Sequence, residues 1–478
     1  MAAKSAPNFY QTHLTTTFFR RAPSFWSRRH SSISNGTTTH MINEPVDEEF
    51  LYEERLKYFH PTRAGDVLDG RFKAIAKLGF GAGSTVWLAE NLKLRVSPFL
   101  SLILSLSPYL SVCLSLYAGE FNSVDGSSKF WSSDIPRYVS IKVPTIDSNA
   151  SGESKRSKLI SSTNPSHPGL SFIRLPIEEF QSEGPEGTHF CLVYKPMRET
   201  LYHWQRRLPK QRLPLPLFKS YAFLILQALD YLHTECHLIH TDIKDDNILV
   251  TIENDSVFAD FVKNLTTNPQ PRHVRTGDGR VIYLSQDDFG PLRGNMVLPA
   301  LADFNQSFPG LDGNKGHLSP IQSHRYRAPE VLLGCPWSYS VDIWNFGLVM
   351  WNMLENTSLF ENIVGDDGEY DAHIHLAQIV SLLGDPPETL VNRERVYRKL
   401  KLGRTVENPM GRGCETMNEY WGGPFFDEHE DEKDVFLDFA SSMLQWVPEK
   451  RKTAKELLQH RVFDSLEKER ERYFQTYV

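Results

Sequence analysis

Two short apolar runs bracket a polar centre between His237 and Val250, in the sequence H-L-I-H-T-D-I-K-D-D-N-I-L-V. Asp242, Lys244 and Asn247 lie at fixed offsets in this centre, so a short loop would bring a carboxylate, an ammonium and an amide together. Phosphoryl transfer needs these groups: the carboxylate accepts the proton of the attacking hydroxyl, the lysine offsets phosphoryl charge, and an amide oxygen helps to hold Mg²⁺. The plain alternative is a polar loop between two buried strands.

A glycine turn lies upstream, in residues 72–89 (F-K-A-I-A-K-L-G-F-G-A-G-S-T-V-W-L-A). The β-type runs on both sides of the turn predict a hairpin. Gly79 and Gly81 carry no Cβ, so their backbone amides can approach phosphate oxygens closely. The turn is weak evidence alone, but its position ahead of the polar loop favours a nucleotide site.

Further elements follow the polar loop in a fixed order. They are Leu301–Asn305 (L-A-D-F-N), Tyr326–Glu330 (Y-R-A-P-E), and Asp342 within Y-S-V-D-I-W-N-F-G. Arg451 is the expected partner of Glu330, because an isolated buried carboxylate would be costly. Residues 452–463 predict a closing helix.

Taken together, these elements resemble those of eukaryotic protein kinases, over about residues 65 to 465. The chain is most similar to the SR-protein (serine/arginine-rich protein) kinases of fungal type. That likeness rests on H-T-D-I-K, on N-P-S-H-P-G at 164–169, on C-L-V-Y-K-P-M at 191–197, on a serine replacing the third glycine of the turn, and on a long spacer after the polar loop.

The resemblance implies an α+β fold with two lobes. A small β-rich lobe is expected over residues 65–195 and a larger helical lobe over 196–465. Residues 251–295 would form the spacer within the large lobe. Residues 1–47 and 466–478 are expected to be a basic N-terminal tail and a C-terminal tail.

The resemblance also implies ATP and Mg²⁺ as cofactors and assigns residue roles. Asp242 would be the catalytic base, Lys244 its charge partner, and Asn247 and Asp303 the metal ligands. The nucleotide-binding residues would be Gly79, Gly81, Ser84, Val86, Lys142, Glu153, Tyr194, Lys195 and Met197. Within this set, Lys142 would reach the phosphates and pair with Glu153, while Tyr194 would be the gatekeeper beside the hinge. The chain departs from the family pattern at Asn305, where glycine is usual, and at Lys195, where an acidic residue is usual.

Three aspartates compete for the role of metal ligand. Asp260 has suitable spacing from the polar loop, Asp288 lies in a literal D-F-G, and Asp303 lies in A-D-F-N. The resemblance implies that the segment from the metal ligand to Glu330 forms one substrate-binding loop, and only Asp303, 27 residues before Glu330, leaves a segment of the length usual in protein kinases. The sequence therefore predicts that Asp303 is the ligand.

The resemblance implies Arg/Ser-rich proteins as substrates, and charge agrees with it. Residues 1–40 carry five basic and no acidic residues, so the other 438 residues carry −12 against −7 for the whole chain. Acidic clusters at 366–371 and 427–434 could dock a basic peptide, and an acidic body argues against direct nucleic-acid binding. A monomer is expected. A pseudokinase scaffold that keeps the fold without turnover is the alternative.

The compartment and one insertion are left open by the sequence. The resemblance implies cytoplasm and nucleus, while the acid-free, Arg- and Ser-containing N-terminus also fits a mitochondrial transit peptide.

Val96 to Tyr117 is uncharged and long enough to span a bilayer. A span there would strain the pairing of the flanking strands, so we expect an insertion over 96–130, with the sequence of a translated intron, and no membrane span. A membrane-anchored kinase is the alternative.

Overall fold

The computed structural model describes residues 41–51, 53–94, 135–293, 297–311, 316–401 and 430–466. The expected insertion at 96–130 and the basic residues 1–40 lie outside the described residues. Within the described ranges, no helix has the length and apolar character needed to cross a bilayer.

The small lobe is built on an antiparallel sheet of six strands in the order β1-β2-β3-β4-β6-β5. The strands are β1 Val67–Leu68, β2 Phe72–Gly81, β3 Ser84–Asn91, β4 Tyr138–Pro144, β5 Pro176–Gly184 and β6 Gly187–Tyr194. The glycine turn joins β2 to β3, as the hairpin prediction requires. Alternate residues of β2, β3 and β4 fill two apolar clusters on opposite faces of the sheet.

The helices lie mainly in the large lobe. They are α1 Glu53–Leu56, α2 Ala150–Thr163, α3 Leu201–Gln205, α4 Leu215–Asp230, α5 Ser256–Thr267, α6 Pro329–Leu332, α7 Ser340–Glu355, α8 Ala372–Leu383, α9 Glu388–Lys401, α10 Glu430–Ser441 and α11 Ala454–Leu457. Helix α7 is buried on nearly every side, which makes it the centre of the large-lobe core. The expected α+β fold with two lobes is therefore confirmed. The expected closing helix over 452–463 is wrong, because this region forms only α11 and a short turn at Arg461–Phe463.

Among the described residues, three two-stranded ribbons belong to the large lobe and the spacer. Their strands are β7 Leu238–Ile239 with β12 Phe308–Pro309, β8 Ile248–Val250 with β11 Pro299–Leu301, and β9 Arg272–Val274 with β10 Val281–Tyr283. The first two ribbons flank the polar loop on both sides, so they fix its ends in the large lobe.

The spacer packs against the small lobe, and this differs from the expected assignment of 251–295 to the large lobe. Val257, Phe258 and Phe261 on α5 are buried against Leu88 and Tyr138 of the sheet. Tyr283 of β10 packs on the other sheet face, within the cluster that contains Trp87. The spacer therefore contacts both faces of the small-lobe sheet.

An N-terminal segment at Met41–Phe50 also belongs to the fold, so the expected tail boundary at residue 47 is too late. Met41 pairs in parallel with Arg272 of β9. Asp47 accepts hydrogen bonds from Ser285 and lies 2.9 Å from the ammonium nitrogen of Lys77 on β2. Lys77 is fully buried and also contacts Glu48 and the carbonyl oxygen of Tyr283. One buried ammonium thus joins the N-terminal segment and the spacer to the strand that precedes the glycine turn.

Lys77→Met is expected to lower the free energy of unfolding by about 3–5 kcal/mol, because it removes the ammonium that two buried carboxylates contact. Lys73→Met, an exposed lysine on the same strand, is the matched control and should change stability by less than about 0.5 kcal/mol. Urea titrations of both variants measure this difference. Equal effects would show that the buried ion pairs do not hold the N-terminal segment.

Candidate active site

The register of the small-lobe sheet brings the predicted nucleotide-binding residues into one row. Gly79 on β2 lies opposite Val86 on β3, and Val86 lies opposite Lys142 on β4. Gly81 and Ser84 pair at the turn itself. A Cβ added at Gly79 or Gly81 would meet no atom within 4 Å, so the turn backbone borders open space.

Lys142 joins carboxylates from both lobes. Its ammonium nitrogen lies 3.0 and 2.9 Å from the two oxygens of Glu153 on α2, and 3.1 Å from Oδ1 of Asp303. Burial alone would lower the pKa of Lys142, but the carboxylates of Asp303 and Glu153 raise this pKa above its usual value. The pair with Glu153 that the sequence predicted is therefore formed, and Lys142 is held in its charged state.

The polar loop brings Asp242, Lys244 and Asn247 together. The Lys244 ammonium donates to Oδ2 of Asp242 at 2.9 Å, and the Asn247 amide donates to the same oxygen at 2.9 Å. Burial would raise the pKa of Asp242, but Lys244 and a hydrogen bond from Ser323 lower it below the usual value. The carboxylate of Asp242 is therefore ionised at neutral pH and can accept a proton.

Asp342, fully buried on α7, fixes the backbone of this loop. Its carboxylate accepts the backbone N–H groups of His240 and Thr241 at 2.7 and 2.8 Å. Thr241 has a positive φ of 69°, a conformation that non-glycine residues rarely adopt. The two hydrogen bonds to Asp342 hold this strained backbone in place, and Asp242 follows directly.

The structure separates the three candidate aspartates. Asp303 follows β11, and its carboxylate is exposed but contacts the Lys142 ammonium at 3.1 Å. Asp260 on α5 is exposed and pairs with Arg293 at 2.8 Å. Asp288 is also exposed and pairs with Arg207 at 2.8 Å. Of the three, Asp303 is the one that lies beside the polar loop, because the N–H of the preceding Ala302 donates to the carbonyl of Asn247.

The electrostatics of Asp303 suit a metal ligand. Partial desolvation of the Asp303 carboxylate would raise its pKa, but the nearby Lys142 lowers this pKa below its usual value. The Asn247 amide nitrogen donates to two oxygens of Asp242, which leaves the amide oxygen of Asn247 as the acceptor available to a cation. In the described part of the chain, no three His, Cys, Asp or Glu side chains form a metal cluster, so a cation here would need further ligands from a nucleotide or water.

The segment between the lobes contains the other predicted residues. Tyr194 ends β6 and is buried, Lys195 is exposed, and Met197 is half-buried. The next residue, Arg198, donates its backbone N–H to the carbonyl of Val250 at 2.9 Å, which ties this segment to the strand after the polar loop.

Sequence reasoning missed two residues that contact the site, Ser323 and Arg156, and one contact of the predicted residue Tyr194. Ser323 donates to Oδ1 of Asp242 at 2.9 Å. Arg156, one helical turn after Glu153, donates to the carbonyls of Phe304 and Asn305, directly after Asp303. The Tyr194 hydroxyl donates to Glu153. A helical spacing of three residues could have indicated Arg156, but no local pattern predicts the other two contacts.

Comparisons with known proteins agree with this geometry. A family model described as a protein kinase domain matches residues 300–463. A serine/threonine protein kinase of Aspergillus fumigatus is 32% identical, over 93% of this chain and 97% of its own length. The serine/threonine-protein kinase SRPK of Physarum polycephalum is 26% identical and SRSF protein kinase 3 of Homo sapiens is 23% identical, each over 84% of this chain and 88% of the relative. A kinase-domain crystal structure aligns with a TM-score of 0.53 at 21% identity, over 85% of this chain and 99% of the other, which shows the fold.

The chain belongs to the protein kinase family. The chain is a serine/threonine protein kinase, and its similarity to the kinase SRPK and to SRSF protein kinase 3 makes it SR-protein-kinase-like.

Asp303→Ala is expected to abolish phosphate transfer and Mg²⁺-dependent ATP binding, because it removes the carboxylate beside Lys142 and Asn247. Asp288→Ala and Asp260→Ala are matched controls. Each breaks one exposed ion pair, worth about 0–1 kcal/mol, and should leave both activities nearly unchanged. Phosphate incorporation and calorimetric titration with ATP, with and without Mg²⁺, measure the result. If Asp260→Ala were inactive and Asp303→Ala active, the assignment of Asp303 as the metal ligand would be wrong.

Proposed function

We propose that this kinase transfers the terminal phosphoryl group of Mg·ATP to serine or threonine hydroxyls of Arg/Ser-rich proteins. The observation that carries the proposal is the arrangement of two charged sets. Asp242 and Lys244 lie in the polar loop, and the Lys142–Asp303 pair lies beside Asn247 at the end of that loop. Every charged group that phosphoryl transfer needs is thus present and ionised.

The residues divide the chemistry between them. Asp242 accepts the proton of the substrate hydroxyl while the hydroxyl oxygen would bond to the terminal phosphorus and ADP would leave from it. Lys244 offsets the negative charge that develops on the phosphoryl oxygens. Lys142 binds phosphate oxygens while Glu153 keeps its ammonium in place. When bound, ATP supplies the phosphoryl group and Mg²⁺ supplies positive charge, and Asp303 and the Asn247 amide oxygen would hold the cation.

Asp242→Asn is expected to lower phosphate incorporation by at least about a thousandfold while ATP binding is kept, because the amide cannot accept the proton. This result would separate an enzyme from a pseudokinase scaffold. Asp255→Asn, at an exposed aspartate before α5, is the control and should retain full activity. Equal incorporation by wild type and Asp242→Asn would mean that the measured phosphate transfer does not come from this site.

An acidic loop supports the choice of a basic substrate. Within residues 364–371, Asp366 and Asp367 are exposed. Tyr370 in the same loop stacks on His324 at a centroid distance of 4.0 Å. His324 follows Ser323, which donates to Asp242. The acidic loop is therefore linked to the proposed base through the Tyr370–His324 and Ser323–Asp242 contacts. A basic peptide could reach the acidic loop and the base together.

The names of the relatives support the same choice. SRSF protein kinase 3 of Homo sapiens and the kinase SRPK of Physarum polycephalum match most of this chain.

The second acidic cluster at 427–434 lies partly outside the described residues, so the loop at 364–371 carries the structural argument.

Asp366→Lys is expected to raise the KM for an Arg/Ser peptide about three- to tenfold with kcat little changed, because it removes an attraction used in binding only. Asp366 is a cleaner choice than Asp371, whose carboxylate caps α8. The KM of the wild type should also rise with salt. A peptide with Gln in place of each Arg is the control, and its KM should not respond to the substitution. An equal response by both peptides would contradict charge-based docking.

A further inference from the structure

Helix α2, which carries Glu153, has little apolar surface to hold it against the sheet. Its buried residues are Ala150, Glu153, Ser154, Ser157 and Ile160. Only one of these is a large apolar residue, and Gly152 and the serines lower the intrinsic helix propensity. The position of α2 therefore depends on polar contacts to an unusual degree.

One of these polar contacts comes from the end of strand β6. The hydroxyl of Tyr194 donates a hydrogen bond to Oε1 of Glu153 at 2.9 Å. The same oxygen receives the Lys142 ammonium at 3.0 Å. Tyr194 and Glu153 are 4% and 3% exposed, so water does not compete for this bond.

The surroundings keep Tyr194 in the form that can donate. Burial and the carboxylate of Glu153 raise the pKa of the Tyr194 phenol well above its usual value, so the proton remains on the oxygen. The guanidinium of Arg174 lies 4.3 Å from the ring centroid of Tyr194 and donates to Ser140 on β4 at 2.7 Å. The ring is thus held from one side while its hydroxyl reaches α2 on the other.

We propose that Tyr194 is a positioning residue for phosphoryl transfer, whose hydroxyl fixes Glu153 so that Glu153 in turn orients Lys142. This inference rests on the proposed role of Lys142 at the phosphates, and it assigns the gatekeeper position a hydrogen-bonding task. A phenylalanine at this position would fill the same space but leave Glu153 with one donor fewer.

Loss of the Tyr194 hydroxyl should affect the binding of ATP and the catalytic step to different degrees. Lys142 without a fixed Glu153 moves toward its other partner, Asp303, at 3.1 Å. ATP contacts that do not involve the phosphates are unaffected by this movement. The missing hydroxyl should therefore lower kcat much more than it raises the KM for ATP.

Tyr194→Phe is expected to lower kcat about tenfold and to change the KM for ATP less than about twofold. Hydrogen exchange in residues 150–163 should become faster at the same time, because α2 has lost a contact. Tyr221→Phe is the matched control: it also removes a buried hydroxyl, which donates to the Val297 carbonyl at 2.7 Å. It should leave kcat unchanged. A Tyr194→Phe enzyme with wild-type kcat, or with wild-type exchange in α2, would overturn the inference.

Glu153→Ala distinguishes a failure of the positioning role of Tyr194 from a failure of the proposed function. It should lower kcat at least as much as Tyr194→Phe does, since the hydroxyl acts through Glu153. An inactive Glu153→Ala with a fully active Tyr194→Phe would reject the role of Tyr194 alone. A fully active Glu153→Ala would reject the role of Glu153 in orienting Lys142, and the positioning role of Tyr194 with it, while the proposed function is tested separately by Asp242→Asn.

Discussion

The ammonium of Lys142, shared between Glu153 and Asp303, is the interaction on which the rest of the site depends. The two carboxylates come from different lobes, so a single ammonium links α2 to the turn after β11. A buried ion pair is favourable only with good geometry and further hydrogen bonds. Tyr194 and Arg156 supply such bonds, one to Glu153 and the other to the backbone after Asp303.

The buried carboxylate of Asp342 fixes the backbone of the polar loop. Asp342 holds the backbone of His240 and Thr241 from the centre of the large lobe. A left-handed non-glycine residue such as Thr241 costs about 1–3 kcal/mol and persists only where its surroundings enforce it. The rigid core around α7 supplies that enforcement, and the ionised Asp242 is presented as a result. The small lobe thus contributes Lys142 and Glu153, the large lobe contributes Asp242, Lys244 and Asp303, and the two groups meet at the Lys142–Asp303 pair.

Much of this arrangement follows from the sequence, because the resemblance in motif order identified the partners. The pairing of Lys142 with Glu153, the placing of Asp303 near the polar loop, and the bidentate contact of Arg451 with the buried Glu330 are all present in the structure. The burial of Asp47 and Glu48 on Lys77 could not be predicted, since an acidic stretch normally indicates an exposed surface. Packing of the spacer on the small lobe was missed for a related reason. The sequence of an amphipathic helix such as α5 shows which of its faces is buried, but not which part of the protein that face packs against.

A crystal structure with Mn²⁺ and a non-hydrolysable ATP analogue tests the central claim most directly. Anomalous scattering would locate the cation without reference to activity. We predict a peak within bonding distance of the Asp303 carboxylate and the Asn247 amide oxygen, about 2.0–2.3 Å away, with the analogue's phosphates beside Lys142. A cation bound at Asp260 or Asp288, or phosphates placed away from Lys142, would contradict the account.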